Sequence, residues 1–292
     1  MVRTRERRPE SLDRETTTDW IIGRREELQA LARFVDAVPT GGHALLLEGD
    51  AGIGKTALWQ EGTAAARRSD VRVLAARAGQ AETRIAFATV GDLFAPTLDE
   101  TLPRLPSVQR RALEIALLLR EPDGPPPEMR VLGLALVSVV HALARERPVL
   151  LALDDVQWVD ASSAEILAFM LRRLEGEPVG VLATVRGRPV HAPLELDRAF
   201  GAFERLLVGP LSVGAIHRML WGRLSLNLAR PALVRVHETS GGNPFYALEL
   251  GRALAEGTIL LDSGPMSLPR ATRPRGRHAG LESFWADVIR FA

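Results

Sequence analysis

Lys55 is the only lysine of the 292-residue chain, since the other 36 of its 37 basic residues are arginine. It stands in the run Gly49-Asp50-Ala51-Gly52-Ile53-Gly54-Lys55-Thr56, which fits the phosphate-binding pattern G-x-x-x-x-G-K-[ST]. Glycines let successive backbone N–H groups turn toward a polyphosphate, and a compact ammonium binds phosphate as a point charge where a planar guanidinium fits less well. The run therefore predicts a phosphate loop whose eight residues contact the ligand, with the Thr56 hydroxyl on Mg²⁺.

The segments on either side of the run give the order strand, glycine loop, helix, which a phosphate loop requires. Residues 44–48 form a short apolar run typical of a buried strand, and residues 56–68 carry apolar side chains at helical spacing. Residues 52–57 also fit the dinucleotide fingerprint G-x-G-x-x-[GA], which calls for an acid at the end of the next strand. The next predicted strand, residues 71–78, ends around Arg77, so the sequence favours the phosphate loop.

A second apolar strand is predicted over residues 148–153 and is followed by Asp154 and Asp155. This is the form of a Walker B element, in which Asp154 would hold Mg²⁺ directly or through water and Asp155 would orient and polarise the attacking water. Two acids after a strand also commonly open a turn. The phosphate loop upstream favours the Walker B interpretation.

A helix and a third strand follow the two acids. Either Asp160 or a capping box of Ser162 and Glu165 would start the helix. The strand, residues 179–185, ends at Arg186. An arginine at this strand end would bridge the γ-phosphate of a bound nucleotide, although an arginine after a strand is also a common surface residue.

Five segments together resemble a known family. They are GRREEL at 23–28, GDAGIGKT at 49–56, LALDDVQWVD at 151–160, LATVR at 182–186 and GGNPF at 241–245. Over roughly residues 20–260 the chain is similar to the ATPase module of the signal-transducing (STAND) branch of the AAA-like ATPases. It is most similar to the N-terminal part of the large ATP-binding LuxR-type transcriptional regulators.

The resemblance implies a fold, a cofactor and site residues. The fold is an α/β P-loop NTPase of the ASCE type, a parallel sheet flanked by helices with a C-terminal helical lid, and the ligands are ATP or ADP with Mg²⁺. Ile22, Gly23 and Arg24 would lie over the adenine, Arg186 would be the sensor arginine, and Pro244 would pack the lid on the base. Helix capping by Asn243 also explains the last motif without any nucleotide.

Composition limits the other functions. With 46% apolar and 25% charged residues the chain has enough apolar side chains for a full core, and a net charge of +1 argues against a basic nucleic-acid groove. The chain has no cysteine, and its six histidines have no metal-ligand spacing. Residues 1–19 lack the apolar segment of a signal peptide, and the longest apolar stretch, residues 131–144, is too short to cross a bilayer. We therefore expect a cytoplasmic protein without a membrane segment.

Residues that interrupt helices and strands, chiefly glycine and proline, divide the chain into four parts. We expect a mobile N-terminal tail over residues 1–19, the ATPase core over 20–209, a helical lid over 210–262 and a mostly disordered tail over 263–292. The large regulators continue to a C-terminal helix-turn-helix, which is missing here. The chain is therefore predicted to be either a truncated regulator or a stand-alone ATPase, and direct DNA binding is not expected of it.

The predicted function is an ATP-binding and slowly hydrolysing signalling switch, whose partners are the nucleotide and either another protein or a second copy of the ATPase module. The alternatives are a stand-alone AAA-family ATPase, a nucleotide-binding interaction module without hydrolysis and a P-loop small-molecule kinase. Guanine specificity is disfavoured because its N/T-K-x-D motif needs a lysine and Lys55 is already in the loop. The signal, the target genes, the oligomeric state and the hydrolysis rate stay open.

Overall fold

The sheet is parallel throughout. The computed structural model describes residues 21–122 and 124–257. Five strands in these ranges form one sheet in the order β2-β3-β4-β1-β5. They are β1 (His43–Gly49), β2 (Arg72–Arg77), β3 (Val149–Asp154), β4 (Val179–Arg186) and β5 (Ala202–Leu207). The predictions for residues 1–19, 258–262 and 263–292 lie outside the described residues.

The helix predicted over residues 56–68 is observed over Lys55–Arg68. In chain order the helices are α1 (Arg25–Ala37), α2 (Lys55–Arg68), α3 (Ala88–Phe94), α4 (Leu98–Thr101), α5 (Ser107–Ala116), α6 (Met129–Ala144), α7 (Ala161–Leu171), α8 (Leu196–Ala199), α9 (Val213–Leu224), α10 (Arg230–Ser240) and α11 (Pro244–Ala255). Within the described ranges no helix is both long enough and apolar enough to span a bilayer.

The sheet buries both of its faces. Leu45 and Leu47 of β1 pack into a cluster with α1 and α2, whereas Ala44 and Leu46 pack into the cluster that contains α6 and α7. This alternation follows from the two-residue period of a strand. It also explains the near-continuous apolar runs of β1, β3 and β4, because a strand buried on both faces has no solvent side for polar residues.

The last three helices have a hydrophobic cluster of their own. Ile216 and Leu220 of α9, Leu233 and Val236 of α10, and Leu250 of α11 are all buried in it. We call α9–α11 the lid helices. The boundary at residues 209 and 210 stays a prediction.

The strand order brings the motifs together. Parallel strands end at the same edge of a sheet, so the phosphate loop after β1, the acids at the end of β3 and Arg186 at the end of β4 share one edge. β4 lies between β1 and β3, which is the arrangement of the ASCE type. The predicted fold class is therefore confirmed.

Candidate functional site

A cavity of about 440 Å³ lies where the phosphate loop, the ends of β3 and β4 and the lid helices meet. Most of the predicted site residues line it: Ile22, Arg24, Ala51, Gly52, Ile53, Gly54, Lys55, Thr56, Asp155, Arg186 and Pro244. Gly23, Gly49, Asp50 and Asp154 were also predicted and are not part of its wall. The structure thus brings together eleven residues from five separate segments of the sequence.

The phosphate loop has the backbone that its glycines predict. Gly52 and Gly54 adopt φ angles of +75° and +106°, which are strained for residues with a Cβ. α2 begins at Lys55, and no side chain caps its N-terminus. The first-turn N–H groups therefore remain for a ligand, and the helix dipole favours an anion there.

Lys55 is buried at 6% exposure, and loop carbonyls hold its ammonium. Nζ donates to the carbonyl oxygens of Gly49 and Asp50, each at 2.8 Å. Burial lowers the pKa of Lys55 below its ordinary value of 10.5, while the charges of Asp155 and Asp154 act in the opposite direction. The ammonium is thus incompletely compensated, and a polyphosphate would supply the missing negative charge.

Asp154 lies just behind the loop at 1% exposure. Its carboxylate accepts hydrogen bonds from Thr56 Oγ1 at 3.0 Å, from Thr184 Oγ1 at 2.7 Å and from Arg77 Nε at 2.9 Å. A carboxylate beside a hydroxyl is an oxygen donor set that suits Mg²⁺. In the described part of the chain no group of three or more acids or histidines could hold a metal, so Mg²⁺ would need nucleotide and water as its other ligands.

Asp155 reaches the cavity from an unusual backbone position. Its φ of 58° and ψ of 49° place it in the left-handed region, which few residues other than glycine adopt. The N–H of Asp155 donates to Thr184 Oγ1 at 2.8 Å, and Gln157 Nε2 donates to Asp155 Oδ1 at 2.8 Å. The two acids therefore have different surroundings, since Asp154 is enclosed and Asp155 lines the cavity.

Arg186 lies at the end of β4 and lines the same cavity. Its guanidinium carbon is 5.9 Å from the centre of the Trp158 ring, within the range of a cation–π contact. Its backbone N–H donates to Gln157 Oε1 at 3.0 Å. The guanidinium is exposed to solvent, and it adds to the lowering of the Lys55 pKa.

Arg24 lines the cavity, but protein groups already occupy its guanidinium. Nη2 donates to the carbonyl of Ile53 at 2.7 Å, and Nη1 donates to the carbonyl of Gly209 at 2.6 Å and to Glu27 Oε1 at 2.8 Å. The side chain thus joins the phosphate loop to the segment that leads into α9.

The start of α11 lies directly on the phosphate loop. Asn243 Nδ2 donates to the carbonyl of Ala51 at 2.9 Å, and the N–H of Phe245 is 3.4 Å from the carbonyl of Gly52. Asn243 also caps α11, as predicted, with Pro244 at the first helical position. A Cβ on Gly52 would lie 2.7 Å from the Phe245 Cβ, so only glycine permits this approach.

Asp160 is the N-cap of α7, in preference to the Ser162–Glu165 capping box. It accepts hydrogen bonds from the N–H groups of Ser163 and Phe87, both at 2.9 Å, and of Thr89 at 3.2 Å. Burial tends to raise the pKa of Asp160, but these hydrogen bonds and one from the Ser163 side chain outweigh it and lower the pKa below 3.8. Asp160 therefore joins the segment before α3 to the end of the Walker B motif.

Sequence reasoning missed several residues of the site. Gln60, Met219, Arg223, Phe245 and Leu248 line the cavity, and Thr184 and Gln157 position the acids. Phe245 and Gln157 lie inside motifs that were recognised, so their positions were a usable signal. Arg223 belongs to no motif, and its place on the cavity wall follows only from how α9 packs.

Residues 21–182, more than half of the chain, match the family model described as an AAA ATPase domain. The chain belongs to this family. Membership favours the phosphate loop over the dinucleotide fingerprint, in agreement with β2 ending at Arg77. An uncharacterized protein of Rhizobium meliloti (strain 1021) is 25% identical to this AAA ATPase over 267 residues, which cover 79% of this chain. The chain spans about a quarter of the length of that relative, 24%.

Solved structures with a similar fold have low sequence identity to this AAA ATPase. The Orc1 protein of Aeropyrum pernix, solved in complex with DNA, has a TM-score of 0.48 at 18% identity and covers 92% of this chain and 66% of its own. A RuvB variant of Thermotoga maritima has a TM-score of 0.46 at 13% identity, covering 81% and 63%. A STAND protein with a tetratricopeptide repeat sensor from Pyrococcus horikoshii has a TM-score of 0.45 at 12% identity. The match covers 89% of this chain and 32% of that protein.

Proposed function

We propose that the chain is an ATP-binding, slowly hydrolysing signalling switch, the ATPase module of a STAND or LuxR-type transcriptional regulator. The observation that carries the proposal is the contact of the lid helices with the phosphate loop. The lid reaches the loop at the carbonyls of Ala51 and Gly52, and Arg24 ties Ile53 of the loop to Gly209 before the lid. A ligand that reshapes the loop therefore changes the support of the lid.

The side chains divide the work between binding and hydrolysis. The first-turn N–H groups of α2 and the Lys55 ammonium bind the phosphates. Thr56 and Asp154 would hold Mg²⁺, which when bound neutralises charge on the phosphates. Asp155 orients and polarises the attacking water, and Arg186 contacts the γ-phosphate.

The wall of the cavity suits a nucleotide base. Its remaining surface includes Ile21, Ile22, Leu211, Met219 and Leu248, which suit the flat apolar face of a base. The chain has no second lysine for a guanine motif. We therefore propose ATP and ADP as the ligands, and a cytoplasmic protein partner or a second ATPase module as the recipient of the signal. DNA binding would belong to a region outside this chain.

Nucleotide-dependent stabilisation tests the proposal. At 100 times the Kd, Mg-ATP or Mg-ADP should stabilise the fold by about 2.7 kcal/mol, seen as a rise of the melting temperature by several degrees. Lys55→Ala should remove the rise, and Arg33→Ala on the exposed side of α1 is the matched control. An equal rise with Mg-GTP contradicts the base preference, and no rise with any of the three nucleotides contradicts the function.

Turnover separates the proposed switch from its alternatives. Asp155→Asn should keep nucleotide binding and lower hydrolysis, because it removes the water-polarising carboxylate and leaves the metal ligand in place. Asp154→Asn should instead weaken the dependence on Mg²⁺. A chain that binds ATP without any turnover would be an interaction module, and phosphate transfer to another small molecule would indicate a kinase.

A further inference from the structure

The side-chain amide of Gln157 connects two strand ends. Its Nε2 donates to Asp155 Oδ1 at 2.8 Å, and its Oε1 accepts the N–H of Arg186 at 3.0 Å. A side-chain amide is neutral and offers a donor and an acceptor side by side. Gln157 therefore bridges the acid that follows β3 and the arginine that ends β4, which are 31 positions apart in the chain but neighbours in the sheet.

The backbone of Asp155 is held at a second point. Thr184 Oγ1 accepts the Asp155 N–H at 2.8 Å and donates its own proton to Asp154 Oδ1 at 2.7 Å. A non-glycine residue at a φ of 58° persists only where its surroundings hold it there. Thr184 fixes the backbone of Asp155, and Gln157 fixes its carboxylate.

The bond from Gln157 also decides which oxygen of Asp155 is open. Oδ1 is occupied by the amide, and among the described residues no protein group donates to Oδ2. Without the amide, the cations Lys55 and Arg186, which line the same cavity, would compete to draw the carboxylate toward themselves. The amide is neutral, so it orients the carboxylate without neutralising it.

We propose that Gln157 is a positioning residue that orients the Asp155 carboxylate and couples it to Arg186 at the end of β4. The inference rests on the proposed function, in which Asp155 polarises water and Arg186 contacts the γ-phosphate. Because Gln157 Oε1 accepts the backbone N–H of Arg186, a shift of that backbone when the guanidinium binds a γ-phosphate pulls on the amide that holds the acid. Hydrolysis by Asp155 thereby depends on the position of Arg186.

Trp158 contacts the side chain of the same arginine. It follows Gln157 in the chain, and its ring lies 5.9 Å from the guanidinium carbon of Arg186. Gln157 thus holds the backbone of Arg186 while Trp158 contacts its side chain. A cation–π contact at an exposed site is weak, so a phosphate competes successfully for the guanidinium. Trp158 emission should report the departure of Arg186.

The test compares turnover with affinity in the full chain. Gln157→Leu should lower kcat about 10-fold to 100-fold, the loss typical when a hydrogen-bond partner that orients a metal ligand is removed and taken here for an oriented carboxylate, while the Kd for ADP stays within about 2-fold. Gln157→Glu keeps an acceptor for the Arg186 N–H but cannot donate to Asp155, so it should lower kcat as well. Gln29→Leu, an exposed glutamine of α1, is the control.

Each outcome decides the matter. Wild-type kcat in Gln157→Leu, wild-type kcat in Gln157→Glu, or equal losses of kcat and ADP affinity overturns the proposal. Asp155→Asn is measured beside them, because unchanged turnover in that variant refutes the role of Asp155 in the proposed function. If Asp155→Asn loses turnover and Gln157→Leu does not, the function stands and the coupling is wrong.

A second readout needs no hydrolysis. The chain has five tryptophans, so the emission of Trp158→Phe is subtracted to isolate Trp158. Its emission should differ between ADP and a non-hydrolysable ATP analogue in the wild type, because the γ-phosphate draws the Arg186 guanidinium away from the Trp158 ring. Equal emission with ADP and with the analogue overturns the premise that a γ-phosphate displaces Arg186, even where turnover is too slow to measure.

Discussion

Arg24 offers the most direct test of how the phosphate loop and the lid are joined. Its side chain is 5% exposed, and its guanidinium donates to the carbonyls of Ile53 and Gly209 and to Glu27, at 2.6 to 2.8 Å. Hydrogen bonds from a charged group contribute about 1.5 to 3 kcal/mol each, but they are not additive. Removing one partner of a buried charged network costs about 3 to 5 kcal/mol.

Arg24→Ala should therefore lower the free energy of unfolding by about 3 to 5 kcal/mol, measured by urea denaturation. Arg24→Lys should lose part of this, because an ammonium keeps the charge but lacks the planar fork that reaches acceptors on three segments. Arg25→Ala is the matched control, since Arg25 is exposed on α1 and its loss should stay within about 0.5 kcal/mol.

Binding gives a second measure of the same substitution. Without Arg24 the carbonyl of Ile53 loses its anchor, so the loop is less well organised and ADP should bind more weakly in Arg24→Ala at temperatures where the fold is intact. A loss of stability below about 1 kcal/mol, the typical value of one ordinary hydrogen bond, would refute the bridging role. So would unchanged ADP affinity in a destabilised variant, because the loop would then not depend on the bridge.

Two further substitutions test single contacts. Asp160→Asn should lower the free energy of unfolding by about 1 to 3 kcal/mol at pH 7, since an amide replaces the carboxylate that accepts hydrogen bonds from three N–H groups. Because the pKa of Asp160 is lowered in the folded state, its carboxylate stabilises the fold fully above pH 3.8, and this stabilisation is lost as the pH falls through the folded pKa. If the loss of stability of Asp160→Asn in urea denaturation does not shrink with falling pH, this account is contradicted. Arg77→Gln should raise the Mg²⁺ affinity of the nucleotide complex about three- to five-fold, because a half-exposed ion pair with Asp154 contributes up to about 1 kcal/mol. Mg²⁺ titration checks it, with the exposed Arg84→Gln as control.

The core strands and their motifs were predictable because a strand buried on both faces is a continuous run of apolar residues in the sequence. β1, β3 and β4 are continuous apolar runs, and each is followed by polar residues of the site. β5 was not predicted. It lies at the edge of the sheet and carries Glu204 and Arg205 in its middle, so its pattern does not stand out from a loop.

The contacts within the site were not predictable from local pattern. Thr184 pairs with Asp154 and Asp155 only because β4 is placed beside β3, and strand order is a property of the whole fold. Arg24 contacts Gly209 across 185 residues. The sequence motifs predicted which residues surround the phosphate loop, whereas the groups that hold those residues depend on packing.

Two glycines permit the lid helices to lie this close to the core. A Cβ on Gly23 would meet the Ala215 Cβ of α9 at 2.6 Å, and a Cβ on Gly52 would meet the Phe245 Cβ of α11 at 2.7 Å. Both contacts flank the cavity, and the second is made to the backbone of the phosphate loop. The lid therefore contacts the backbone of the phosphate loop, so in the proposed switch a phosphate that changes the loop also moves the lid helices. A ligand moves such a lid only as far as its affinity differs between the two lid positions, and the γ-phosphate is the group by which ATP and ADP differ.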